Sequence, residues 1–303
     1  MATQGFSPRT RQDAQLITFG ESAGRTAVAG VRASSPFEAT VTLRSGQAKE
    51  ARLNGARVPS AESLRRELST LVFTPDRLAV VKGGPAARRA YFDRVLARLF
   101  PARAGVPQDY LATLAQRNAA LRRVQLGFSP PDVLSPWTER LAAAGAALVS
   151  ARHATIERLS PAFADRAAEL GLPDARLDYD AVPPTAVMLE ERLRRDIERG
   201  TTGLGPHLDD VTLSSDSRDL RQFGSQGEQR LAVLSLLLAE AELLPEPPLL
   251  LLDDVLSELD LGRRRVLAER VVQMGQTVIT STHTGALPLD PAQVVEVERG
   301  SAR

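Results

Sequence analysis

Residues 249–260 read Leu-Leu-Leu-Leu-Asp-Asp-Val-Leu-Ser-Glu-Leu-Asp. Four leucines without a polar break predict a short strand buried on both faces, as in a parallel sheet. Asp253 and Asp254 follow at its carboxyl end, which is where open α/β sheets bind their ligands. Adjacent carboxylates in such a place need a compensating partner, because an unpaired buried charge is costly. Mg²⁺ carried on phosphates is the natural one, since that ion takes one or two carboxylates and fills its remaining positions with water and phosphate oxygens.

Upstream, Ser225-Gln226-Gly227-Glu228-Gln229-Arg230 stands just before a long apolar segment that predicts a helix from about 228 to 244. A Ser-x-Gly turn at a helix start offers backbone N–H groups, a hydroxyl and the positive end of the helix dipole, which together suit an anion such as phosphate. Taken alone, the same residues are an ordinary N-cap by Ser225. Downstream, Ser257-Glu258-Leu259-Asp260 reads as a helix-capping turn ahead of Leu261. His283 follows a further apolar strand that ends in Thr280-Ser281-Thr282.

The rest of the chain separates by period. The first 75 residues read mostly as strands. Phe37, Ala39, Val41 and Leu43 alternate with polar neighbours, and Asn54-Gly55 marks a two-residue hairpin turn. Leu71-Val72-Phe73 is a short strand closed by Pro75. From 85 to 199 the period is helical, with helices predicted over 86–100, 109–124 and 188–199. Residues 132–170 are largely helical too, with interruptions at Pro136 and Pro161. Leu177 and Tyr179 suggest a brief strand. Beyond 205 come strands at 211–214, 249–252, 277–280 and 294–297, with a helix over 261–273, the alternation of a parallel sheet.

Composition narrows the class. Hydrophobic residues make up 43% of the 303, enough for a sizeable core, and there are no cysteines. Disulfides, thiolate metal sites and thiol nucleophiles are therefore excluded. No apolar run reaches the length of a membrane span, and no signal peptide is read at the start. A cytoplasmic protein is expected. Nearly all positive charge is arginine, since Lys49 and Lys82 are the only lysines. Between 88 and 123 lie eight arginines, Arg88, Arg89, Arg122 and Arg123 among them, against Asp93 and Asp109.

The order and spacing of these motifs resemble the ABC-type ATPases. The Ser225–Arg230 segment corresponds to a signature motif, 249–254 to a Walker B strand, 257–260 to a D-loop and His283 to an H-loop histidine. A narrower resemblance is to the RecF family. It rests on Pro75-Asp76 with Val80-Val81-Lys82-Gly83-Gly84-Pro85 and Arg88-Arg89-Ala90-Tyr91-Phe92-Asp93, and on the run from Leu251 to Leu267. Gln116-Arg117-Asn118-Ala119-Ala120-Leu121, Gly205-Pro206-His207 and Phe6-Ser7-Pro8-Arg9-Thr10 carry it further, so that it covers nearly the whole chain. Two positions depart from pattern: Leu208 stands where the family has an arginine, and Asp254 where ABC ATPases commonly have glutamate.

The resemblance implies an α/β fold, an ABC-ATPase-like head with an inserted helical lobe. It divides the chain into 1–75 and 201–303 as parts of the ATPase lobe and 76–200 as the helical lobe. It implies ATP with Mg²⁺ as cofactors and an ATP-dependent homodimer. DNA, RecR and RecO are the implied partners, in recombinational repair and the SOS response. By site, it implies Asp253 on the metal and Asp254 and His283 in catalysis. Ser225, Gly227, Gln229 and Asp260 would contact the nucleotide, and Arg88, Arg89, Arg122 and Arg123 the DNA. One part is missing: no Gly-x-x-x-x-Gly-Lys loop can be drawn around Lys49 or Lys82. In the family that loop precedes the segment matching Gly5–Thr10, so a sequence that starts short is expected. A weak DNA-dependent ATPase is implied for the family, and little turnover for this chain alone. The competing readings are a DNA- or partner-binding fragment without nucleotide turnover, and another ATPase head of the SMC type.

Overall fold

The computed structural model describes residues 3, 7, 10, 12–32, 34–60, 64, 68–282, 288–298 and 301–303. In chain order, strands β1 (Ala23–Arg32), β2 (Ser35–Arg44), β3 (Glu50–Leu53), β4 (Ala56–Arg57) and β5 (Thr70–Phe73) come first. Helices α1 (Ala79–Lys82), α2 (Pro85–Leu99), α3 (Val106–Gln125) and α4 (Ser135–Glu169) follow. Next are β6 (Arg176–Asp178), α5 (Ala186–Glu191), α6 (Leu193–Arg199), β7 (Thr212–Ser215), β8 (Arg218–Asp219) and α7 (Gln226–Leu243). Last come β9 (Leu249–Leu252), α8 (Leu261–Gln273), β10 (Thr277–Ile279), β11 (Val297–Glu298) and β12 (Ser301–Ala302). The chain forms two compact units, 1–76 with 245–303, and 77–244. By packing, residues 201–244 therefore group with the helices, whereas motif order groups them with the ATPase lobe.

Among the described residues the first unit holds three sheets, the smallest being the β11–β12 pair. One is an antiparallel meander, β1-β2-β3-β4. Its core is Ala39, Val41, Leu43, Ala51 and Leu64, with Ile17, Val28 and Phe37 packed against it, so the alternating residues of β2 face inward as their period predicts. The Asn54-Gly55 turn closes β3 on β4 with φ of +49° and +81°. Both values lie in the left-handed region that a type I′ hairpin requires. Strand β1 carries two glycines and no alternating apolar pattern; it pairs with β2 along its whole length, from Ala23–Arg44 to Arg32–Ser35.

The second sheet has the order β10-β9-β5, all parallel, with the four leucines in the middle. Side chains alternate across a strand. Leu250 and Leu252 are buried, while Leu249 and Leu251 are half-buried. One face is thus closed and the other only partly covered, a correction to the expectation of burial on both.

In the helical unit, α4 runs 35 residues without a break. Pro136 lies in its first turn, where a missing N–H costs nothing. Pro161 removes one helical hydrogen bond. Leu159 and Phe163 on either side of it are fully buried, and this packing carries the helix through. Conversely, the single helix expected over 188–199 is two, α5 and α6, separated at Arg192. The interior is unusually polar: Arg117, fully buried, donates to Asp196 at 2.9 Å and Thr202 at 2.7 Å. The strand expected over 294–297 is β11, shorter and later, paired antiparallel with β12.

Candidate nucleotide turn and basic surface

The carboxyl end of β9 is tied on both sides. Asp253 N–H donates to Phe73 O on β5 at 2.9 Å, and Thr280 N–H, just past β10, donates to Leu252 O at 3.0 Å. The Thr280 hydroxyl then donates to Oδ1 of Asp253 at 2.7 Å and accepts from the backbone N–H of Asp254 at 3.0 Å. Asp254 has φ of +51°, a left-handed conformation that aspartate tolerates better than most residues. Its carbonyl accepts from Ser257 Oγ at 3.0 Å. Val255, Leu256 and Leu259 are buried and anchor the turn. Asp253 is half-buried and Asp254 exposed.

Asp260 caps α8, its Oδ1 accepting from Arg263 N–H at 2.9 Å. Among the described residues no three or more carboxylate or imidazole side chains gather into a metal cage. A paired-acid turn of this kind fits Mg²⁺, which draws most of its ligands from water and phosphate. It would not suit a metal that needs an all-protein shell.

The Ser225 turn belongs to the helical unit. Ser225 Oγ accepts from Glu228 N–H at 3.2 Å, and Glu228 Oε2 accepts from Ser225 N–H at 2.7 Å, a reciprocal capping box. Hydrogen bonds from the Ser225 backbone N–H, and then from its side chain, hold the Glu228 carboxyl below the usual carboxylate range. Ser225 and Gly227 are both exposed. Gln229 is different. It is buried, and its amide donates to Leu220 O at 2.8 Å. It supports the turn from inside and does not face solvent. His283 lies outside the described residues.

The four arginines divide into two kinds. Arg88 is buried, in paired contact with the Asp210 carboxylate and with Nη1 donating to Gly83 O at 2.8 Å. Arg89 is half-buried and donates to Asp209 O at 2.6 Å. Arg122 and Arg123 are exposed in the last turn of α3, where cations also complement the helix dipole. The structure thus buries Arg88, half-buries Arg89 and leaves Arg122 and Arg123 exposed.

Gly205-Pro206-His207 is an internal strut. His207 Nε2 lies 3.1 Å from Thr202 O, and Nδ1 lies 2.6 Å from the Tyr110 hydroxyl. A carbonyl only accepts, which places the ring proton on Nε2 and makes Nδ1 the acceptor from Tyr110. Burial pushes the Tyr110 phenol up, so it stays a donor. Arg152 braces the same segment, donating to Pro206 O at 2.7 Å and to both oxygens of Asp93 at 2.8 and 2.9 Å. Sequence reading missed Asp210, Thr280 and Arg152. Only Thr280 carried a signal, its place at the end of an expected strand.

No family model matches the chain. Among curated proteins, the DNA replication and repair protein RecF of Acaryochloris marina is 35% identical over 329 aligned residues, covering 98% of this chain and 86% of that protein. RecF of a Cyanothece species is 36% identical, covering 97% and 84%. Among solved structures, the recombination mediator protein RecF with ATP, of the RecFOR pathway, superposes with a TM-score of 0.81 at 25% identity, over 94% of this chain and 81% of that one. An SMC head bound to the C-winged helix domain of ScpA gives a TM-score of 0.52 at 14% identity, a likeness of fold alone.

Proposed function

The chain belongs to the RecF family of DNA replication and repair proteins, and from that premise we propose that it binds ATP with Mg²⁺ and holds DNA in that state. The observation that carries this reading is the ordered Asp253–Asp254 turn at the centre of a parallel sheet. Asp253 holds Mg²⁺ directly or through water. Asp254 positions or polarises the attacking water. Mg²⁺, when bound, neutralises charge on the phosphate oxygens.

Two copies meet head to tail. The Ser225 hydroxyl and the α7 start at Gly227 receive the triphosphate held on the other copy, as anions are received at helix N-termini. Asp260 caps α8 after the acidic turn and contacts the nucleotide. Closure brings Arg122 and Arg123 onto duplex phosphates, binding without reading base sequence. The protein then works with RecO and RecR at gapped DNA in recombinational repair and the SOS response. Support comes from the RecFOR pathway named for the solved relative.

A second reading is DNA or partner binding without nucleotide turnover. Equilibrium binding of ATP and of gapped DNA separates the two. The first reading expects saturable, Mg²⁺-dependent ATP binding that Asp253→Asn abolishes, and DNA affinity that rises with ATP. DNA affinity indifferent to ATP and to Asp253→Asn selects the second.

A further inference from the structure

We infer that Thr280 is the positioning residue for the metal-facing carboxylate, an inference that rests on the assignment of Asp253 to Mg²⁺. Three bonds converge at one residue. The Thr280 N–H holds the end of β10 to Leu252, while its hydroxyl donates to Asp253 and accepts from the Asp254 N–H. A hydroxyl has one proton, and here it is committed to the carboxylate. Its lone pair meets the N–H of the very residue that has turned left-handed. One side chain therefore fixes both the orientation of the Asp253 carboxylate and the backbone twist that presents Asp254.

Residue type matters here. Threonine is stiff about χ1, because two heavy atoms sit on its Cβ. Its backbone is already set by the parallel ladder, so the hydroxyl is preorganised rather than recruited on binding. Hydrogen-bond partners of metal ligands of this sort commonly carry 10- to 100-fold in metal affinity. The Ser257 hydroxyl adds a bond to the Asp254 carbonyl.

The test uses Thr280→Val, Thr280→Ser and Asp253→Asn beside the wild type. Two readouts are taken: retention of Mn²⁺ in equilibrium dialysis against Mn²⁺ with ATP, and amide hydrogen exchange at Asp254 without metal or nucleotide. Thr280→Val should weaken Mn²⁺ retention about 10-fold or more and speed exchange at Asp254. Thr280→Ser, which keeps the hydroxyl, should restore both. A merely structural threonine would give no such rescue pattern in metal retention. Mn²⁺ retention unchanged in Thr280→Val overturns the inference and leaves the metal assignment standing. Wild type and Asp253→Asn indistinguishable in Mn²⁺ retention overturns the metal assignment and the positioning role together.

Discussion

Arg88 and Asp210 meet in two parallel hydrogen bonds, Nε to Oδ1 at 2.6 Å and Nη2 to Oδ2 at 2.5 Å. The pair joins α2 to the segment leading into β7, and Nη1 ties in the Gly83 carbonyl at 2.8 Å. Removing one partner of a buried ion pair leaves a stranded charge and costs about 3–5 kcal/mol. Asp210 is 34% exposed on its side chain, so water softens the loss. Arg88→Ala should lower the unfolding free energy by about 3 kcal/mol. Arg88→Lys should recover little of it, because a point charge cannot make the paired contact. Urea unfolding followed by circular dichroism reads both. Below the unfolding transition, DNA affinity of Arg88→Ala should match the wild type.

Arg122 and Arg123 present the opposite case. Both are exposed, so Arg122→Ala with Arg123→Ala should lower the urea midpoint only slightly, by the lost helix-dipole and Ser129 contacts. If both reach phosphates, the dependence of log affinity on log salt should flatten by about 2. Filter binding of duplex DNA at several salt concentrations measures the slope. An unchanged slope would move the DNA surface away from the end of α3.

Much of this was legible in the sequence, and the reasons are physical. The period-2 run of β2, the Asn54-Gly55 turn and the leucine strand are local signals, and each appears where its pattern puts it. Helix α8 has the bounds expected of it, 261–273. What sequence could not supply is set by distant partners. Strand β1 exists because β2 pairs with it, and α4 crosses Pro161 because Leu159 and Phe163 are buried on either side. Arg88 and Arg122 look alike as letters in an arginine-rich stretch. Only the fold brings Asp210, 122 positions away, to one of them.

His207 makes stability depend on pH. Burial pushes its pKa below the ordinary 6.5. A histidine depressed in the folded state is neutral there while the unfolded chain takes up a proton. Its contribution is therefore full above about pH 6.5 and is lost as the pH falls from there through the folded pKa. The urea midpoint should drop between pH 7.5 and 5.5, and His207→Gln should show a smaller drop. An equal drop in both proteins would assign the acid sensitivity to other groups.

Gly205 decides whether that strut can form at all. Its φ is +130°, and a Cβ placed there would lie 2.6 Å from the Tyr110 hydroxyl oxygen. Gly205→Ala therefore carries two penalties. One is backbone strain, of order 1–3 kcal/mol for a side chain in a sparsely populated region. The other is displacement of Tyr110 from His207 Nδ1, which leaves two polar groups short of a partner. The penalties separate in a double-mutant cycle with Tyr110→Phe, which removes the oxygen that clashes. Gly205→Ala should cost less in the Tyr110→Phe background than in the wild type, by about 1 kcal/mol or more. Equal costs in the two backgrounds would mean that strain alone excludes alanine, and that the phenol and imidazole are held together by something other than this glycine.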